Sequence, residues 1–476
     1  MSVITTLSKC RIHTNGGGNT RRPESGLVPE GRLGIATDLY QLTMANGYHA
    51  MGRTDEIAVF DLFVRKLPKN RSYMMVAGLE QALHYLTNVR FTDDDIELLR
   101  DKPTFKGARE SFWEYLADFR FTGDAWAMPE GTIAFGNEPL MTVEAPIIEA
   151  QVAETYLLMC YNHQTKIATK AARCVEVAKG RSIIEFGMRR TDVGAALRAA
   201  RAAFIGGAMG TSNVLADAIF GIPSYGTHAH SWVMSFDTED EAFKAYFQIY
   251  GEDTLALIDT YDTVQGAEAA ARLPGRIKGV RLDSGDIAAL SKEVRAIMDA
   301  AGKKDGRIFA TNDLNEYKIA EMLEAGAEID IFGIGTELVL SADSPSIGGV
   351  YKLAEIEKDG RTTPKLKLSK DKSTFPGRKQ VYRLLEGETP VRDVLGMRGE
   401  LDGELQPLLV QVVDGGRLLA DTPRLADVQA YATGNRMALP EGLRDIAGRE
   451  VYEVAVSDEL DALTCETVSR IKGATA

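Results

Sequence analysis

Cysteine is scarce in this chain of 476 residues: four are present, Cys10, Cys160, Cys174 and Cys465, with no CxxC spacing. That density excludes a disulfide framework and fits a reducing cytoplasm. Long apolar runs are missing too, and none approaches the roughly 18 residues of a membrane span. Positive charge is in deficit, with net charge −13 and a pI near 5.2. A general nucleic-acid binder is thereby excluded, and any anion must be held by local basic clusters. Histidine is rare at six, and none follows His230. What remains is ordinary for a soluble globular protein: 45% hydrophobic and 26% charged residues. The length allows two domains, or one barrel with a substantial second lobe.

What is present is a rhythm. Three short apolar runs each end in a polar cluster: GVRLDSGD (279–286), IFATND (308–313) and IDIFGIGTE (329–337). Patterns of helical period separate them, EYKIAEMLEAGA (316–327) being the second. Strand, polar tip, helix, strand marks βα units on a buried parallel sheet. Such folds place their chemistry at the carboxyl ends of the strands. The rhythm begins earlier, with SIIEFGMRR, a Gly-rich helix reaching Phe220, and IPSYGTHAHSW. Before it lie a helix over 37–50, a strand over 57–63, a helix over 76–86, strand-like segments 132–135 and 140–145 around a Gly-Asn-Glu-Pro turn, and a long helix over 149–177. Residues 15–29 (NGGGNTRRPESGLVP) lack an apolar face and the core of a secretory signal; we read a disordered tail, or else an organelle-targeting extension. Past about Ile356 the rhythm stops, and residues 365–383 are basic and strand-like, a solvated face or a surface that steers phosphates.

Each tip has a bland reading beside a chemical one. Asp283 and Asp286 bracket Ser284 and Gly285; either could cap the helix that follows. Two carboxylates with Arg281 at one tip exceed what a cap needs. They could hold Mg²⁺, directly or through water, or bond sugar hydroxyls. Gly333, Gly335 and Thr336 suit a phosphate, since backbone N–H groups can approach an anion there. His228 and His230 could be a metal pair, packed structural histidines, or a reactive or substrate-contacting imidazole. Phe186 with Arg189 and Arg190 could stack on a planar acid and pair with it, or be a core ring beside surface arginines.

Taken in order, TDLYQLTM (37–44), EFGMRR (185–190), GTSNVLA (210–216), GTHAHSW (226–232), GVRLDSGD and FGIGTELV resemble the successive signatures of the nicotinate phosphoribosyltransferase family. The likeness runs from about Leu33 to Arg383. One departure is TDVGAALRAARAAF after Arg190, which reads as helix where the family has a polar, Gly/Pro-containing run.

The resemblance implies an α/β fold: an irregular TIM-like barrel plus a second α+β lobe built from both chain ends. On that reading 1–32 is a tail, 33–146 the N-terminal lobe, 147–356 the barrel with the active site, and 357–476 completes the second lobe. It implies transfer of phosphoribosyl from 5-phosphoribosyl 1-diphosphate to nicotinate, coupled to ATP hydrolysis with Mg²⁺ present, in a cytoplasmic homodimer with shared sites. His230 matches the histidine phosphorylated by ATP. Phe186 and Tyr40 match the pair that sandwiches the pyridine ring, Tyr40 reaching in from the other subunit. Arg189, Thr227 and Arg281 match substrate contacts, and Ser212 sits where nicotinamide-using relatives resemble one another in carrying aspartate. Asp283 and Asp286 then serve phosphoribosyl diphosphate and its metal, with Gly333, Gly335 and Thr336 on the 5-phosphate. Nicotinamide or quinolinate as the base, a metal-dependent barrel hydrolase, and a binding protein without turnover remain alternatives.

Overall fold

The strand Ile57–Val64 is apolar on both faces apart from Asp61, which suits the middle of a covered sheet, and all but its first residue are buried. The computed structural model, which describes residues 30–369, 372–447 and 450–475, places it there. The glycine-rich segment 15–29 lies outside the described residues. Among those described, Ile57–Val64 pairs with Gly349–Lys358 on one side and Pro139–Pro146 on the other, within a seven-stranded antiparallel sheet. Strands from early and late in the chain therefore share one ladder. Asp124–Ala127 and the late strand Val410–Asp414 continue it.

The helix Ile147–Val177 follows directly, 31 residues long and so about 46 Å at 1.5 Å per residue. Its first half, from Ile147 to Tyr161, lies in the core of the antiparallel sheet. Its second half, from Ile167 to Cys174, lies in the core of a parallel sheet. Small residues let neighbours come close there: a side chain on Gly206 would meet Ala168 O and Ala171 Cβ at 2.5 Å. The helix Val193–Ile205 packs at this seam, with Asp192 accepting from Gly194 N at 2.9 Å. The segment after Arg190 is thus helical, as its pattern indicates.

The parallel sheet has six strands, in the order Gly210–Thr211, Ser182–Glu185, Ile331–Ile334, Arg307–Ala310, Gly279–Leu282 and Leu255–Leu257. Its residues alternate between two environments, as a period of two requires. Ile183, Ala256, Val280, Leu282, Ile308, Ala310, Phe332 and Ile334 pack against helices. Ile184, Leu255, Phe309 and Ile331 form a separate cluster joined by Phe186, Met209 and Tyr225, all from strands or the turns beside them. The sheet therefore covers its own second face. Its edge strands do not pair with each other among the described residues. Instead residues 223–228 bond to both: Tyr225 N donates to Thr211 O at 2.8 Å, and Leu257 N donates to His228 Nε2 at 3.2 Å.

The helices expected over 37–50 and 76–86 run Leu39–Ala50 and Leu79–Asn88. Among its described residues, the basic stretch 365–383 is strand only from Lys379 onward, in Lys379–Glu386. That strand pairs with Thr389–Met397 in a four-stranded sheet, which a buried Arg383–Asp393 ion pair at 2.6 Å ties to Ile133 O at 2.9 Å. No described helix is long and apolar enough to cross a membrane.

Candidate active site

Alternation decides which side chains meet. Arg281 lies between Val280 and Leu282, both packed on helices, so it faces the interior with Asp283 two residues on. Burial holds the Arg281 guanidinium below its ordinary pKa, Asp283 and Asp259 oppose that shift, and Arg189 adds to it. Its Nε has no hydrogen-bond partner among the described residues.

Three strand tips and the start of the helix His230–Met234 converge around Asp283. Thr311 Oγ1, from the next strand, donates to Asp283 Oδ1. Asp283 N and Ser284 Oγ both donate to Asp259 Oδ2, at 2.8 and 2.6 Å. Asp259 Oδ1 is buried and finds no partner among the described residues. Across the tip, His230 Nε2 lies 3.8 Å from Asp283 Oδ2, and both side chains are partly exposed. The other ring nitrogen, Nδ1, is 3.1 Å from Thr260 Oγ1. With the proton on Nδ1 and directed at Thr260, the Nε2 lone pair is left free.

The aromatic platform adjoins this set. A Cβ on Gly333 would sit 2.6 Å from Phe186 Cδ2 and 2.7 Å from Thr311 Cγ2, so the ring lies over the glycine with Thr311 beside it. Gly333 is needed here for close approach. Thr311 thereby touches both the platform and the carboxylate. Below the platform, Glu185 is 1% exposed and accepts from Gly187 N and from Thr211 Oγ1. Ser212 follows Thr211 and donates its N–H to Glu185 O at 2.9 Å. Arg189 and Arg190 lie just beyond Phe186, both exposed. Gly335 precedes the five-residue helix Thr336–Leu340, with Thr336 half-buried at its start.

The two histidines divide their roles. His228 is buried, its Nε2 accepts from Leu257 N, and burial lowers its pKa to about 4. It is a packed, neutral imidazole that fixes the turn leading to His230, and Thr227 Oγ1 helps by donating to Leu255 O. A metal pair needs that nitrogen free. Among the described residues, no group of three or more His, Cys, Asp or Glu side chains is arranged to hold a metal.

Asp286 takes the bland reading. Its Oδ1 accepts from Ala289 N at 3.1 Å and caps the helix Ile287–Ala300. The second carboxylate at the centre is Asp259, from the tip of Leu255–Leu257, with Thr260 beside it. Neither was expected from the sequence, although LALID repeats the pattern of GVRLD. Tyr40 is 48% exposed on Leu39–Ala50, and its pKa is raised by burial and then by Glu154 and Asp38, neither of which belongs to the cluster. Asn312, at the tip of Arg307–Ala310, has a φ of +112°, a conformation non-glycine residues rarely hold and one that clusters at functional sites.

Comparison with known proteins gives a consistent result. The pattern of the nicotinate phosphoribosyltransferase (NAPRTase) N-terminal domain matches residues 35–162, and that of the nicotinate phosphoribosyltransferase (NAPRTase) family matches residues 181–380. The chain is 45% identical over 436 residues to nicotinate phosphoribosyltransferase pncB2 of Mycobacterium tuberculosis, covering 90% of this chain and 92% of that protein. It is 39% identical over 474 residues to the nicotinate phosphoribosyltransferase of Bacillus subtilis, covering 92% and 96%. The crystal structure of human nicotinic acid phosphoribosyltransferase superposes with a TM-score of 0.79 at 28% identity, covering 90% of this chain and 99% of that one.

Proposed function

The chain belongs to the nicotinate phosphoribosyltransferase family, and on that footing we propose that it joins nicotinate to 5-phosphoribosyl 1-diphosphate, giving nicotinate mononucleotide and pyrophosphate. The observation that carries the reading is the bridge made by Thr311 between the Phe186–Gly333 platform and Asp283. It puts a flat aromatic surface next to a carboxylate on one face of the sheet, as a reaction between a pyridine and a ribosyl cation requires.

In this reading the six-stranded sheet, its edges linked by residues 223–228, is the irregular barrel of the family, and the antiparallel sheet belongs to the second lobe. The pyridine ring lies on Phe186, and its carboxylate pairs with Arg189. Ser212, neutral, leaves room for an anion where an aspartate would repel one. As the C1–diphosphate bond breaks, positive charge grows on the ribose, and the Asp283 carboxylate stabilises it. The pyridine nitrogen forms the new bond to C1, and the electron pair of the broken bond leaves with pyrophosphate. Arg281, on the same face, holds substrate anion, while Gly335 and Thr336 receive the 5-phosphate; Gly333, covered by Phe186 and Thr311, serves the platform instead. Thr227 holds the His230 turn in place. Asp283, with the orphaned Asp259 oxygen beside it, fits a hard cation that keeps its waters and arrives with the diphosphate, and Asp286 lies at the rim in a cap. When bound, Mg²⁺ supplies charge neutralisation to the leaving diphosphate.

ATP coupling runs through His230 in the same reading. Its free Nε2 accepts the γ-phosphoryl group, ADP leaves, and water later releases phosphate. Phosphorylation adds roughly two negative charges beside Asp283 and disfavours rebinding of pyrophosphate. Tyr40, exposed on its helix, is placed to cover the ring in a partner's site, which makes the functional unit a homodimer. The reaction would open NAD salvage from nicotinate in the cytoplasm.

Pyrophosphate release, measured with phosphoribosyl diphosphate and Mg²⁺ against nicotinate and nicotinamide, with and without ATP, tests all of this. Release with nicotinate, strengthened by ATP, is expected. Equal or faster release with nicotinamide overturns the base assignment, and indifference to ATP overturns the coupling.

A further inference from the structure

The Glu185 carboxylate has no part in the chemistry above, yet it is buried where three turns meet. One oxygen accepts from Gly187 N, in the turn that carries Phe186 and Arg189. The other accepts from Thr211 Oγ1 at 2.5 Å, in the turn that carries Ser212. The third turn is that of Gly335 and Thr336. Phe186 N donates to Ile334 O at 2.8 Å, and a Cβ on Gly187 would collide with Val339 and lie 2.9 Å from Gly335 O. We propose that Glu185 is the positioning residue of the pyridine pocket, holding the Phe186–Arg189 turn in fixed register with Ser212. The proposal rests on the reading of that pocket given above.

The chemistry asks for a carboxylate and not its amide. Thr211 Oγ1 already accepts from Asn213 N at 3.0 Å, and its proton is directed at Glu185. A glutamine would have to point its NH₂ at the Gly187 N–H or at the Thr211 hydroxyl proton, and one donor would lose its acceptor. Ionisation of Glu185 does not itself stabilise the fold. Burial raises the Glu185 carboxyl above the ordinary range, against the pull of its two donors. A carboxylate whose folded pKa lies above its unfolded value costs stability once the pH exceeds that unfolded value, and the cost fades as pH falls through the folded pKa.

The test compares wild type, Glu185→Gln, Thr211→Val and Thr211→Ser, reading KM for the base, KM for phosphoribosyl diphosphate, and melting temperature at pH 7.5. Glu185→Gln and Thr211→Val should raise the base KM about tenfold or more, because small displacements of positioned groups cost that much. KM for phosphoribosyl diphosphate should stay within about twofold, and Thr211→Ser, which keeps the hydroxyl, should match wild type. Glu185→Gln, which strands one buried donor, should melt somewhat below wild type yet stay folded at the assay temperature. An unchanged base KM in Glu185→Gln overturns the proposal, as does an equal loss for both substrates. Wild type that uses nicotinamide and not nicotinate sinks the substrate reading alone, since the same KM comparison is then made with nicotinamide. Wild type inert with both bases overturns both.

Discussion

His230 and Asp283 face each other across 3.8 Å, Nε2 to Oδ2, from the tips of different βα units. The imidazole is steadied from behind by Thr260 and the carboxylate by Thr311, so each presents one free edge to the same space. A charge placed on one is felt by the other. In the proposed mechanism that pairing would link a phosphorylated His230 to the affinity of the neighbouring diphosphate site.

Replacing His230 by asparagine should abolish the ATP effect and leave the transfer reaction running. Steady-state pyrophosphate release by the variant with ATP should equal its release without ATP. Persistent stimulation by ATP would show that phosphorylation at this residue is not the coupling step.

Asp283→Asn should lower kcat on the order of 10²- to 10³-fold, the usual loss when a preorganised electrostatic partner of a developing charge is removed. The nicotinate KM should move far less, because the platform is built by Phe186 and Gly333. Single-turnover rates separate the two effects. A kcat within threefold of wild type contradicts the role given to this carboxylate.

Ser212→Asp places a negative charge beside an anionic base. Its kcat/KM for nicotinate should fall roughly 10- to 100-fold, about 1.4 to 2.8 kcal/mol, while that for nicotinamide holds or improves. The ratio of the two values, measured in one competition assay, decides the matter.

Glu239, at the start of the helix Glu239–Tyr250, has its carboxyl raised to about 7 by burial, with Asp259 and then Asp262 adding to it. The folded form therefore holds a proton that the unfolded chain releases from about pH 4.3 upward. Folding stability carried by this site declines between about pH 4.3 and pH 7 and stays lower above. Glu239→Gln should thus melt higher than wild type at pH 8, with the gap closing by pH 5. Melting curves at the two values check it, and a gap that is constant with pH contradicts the assignment.

The strand tips were legible because a buried parallel strand is a continuous apolar run and its polar end is abrupt. GVRLD, EFG and GTHAH each end in a polar loop, and the fold brings these loops to one side of the parallel sheet. Asp259 escaped because its strand has three residues and sits among other polar ones, so the run was too short to stand out. Asp286 caps a helix through Oδ1, and local sequence does not say whether a carboxylate turns to a backbone N–H, to a ligand, or to both. The Glu185–Thr211 bond joins residues 26 positions apart on neighbouring strands, and no local spacing encodes it. Nor could the sequence show that residues 223–228 would bond to both edges of the parallel sheet, because strand order emerges only when the ladder closes.

The helix Ile147–Val177 belongs at one end to the core of the antiparallel sheet and at the other to the core beneath the strand tips. Neither sheet can come apart without stripping half of that helix of its packing, so heating should dissolve both in one transition, with no species that keeps one half intact. The same rod makes the distance between Tyr40 and the strand tips of its own chain a fixed length. In the proposed homodimer a partner's ring would be delivered to the pocket by the docking of stiff bodies, with no loop required to find its way in.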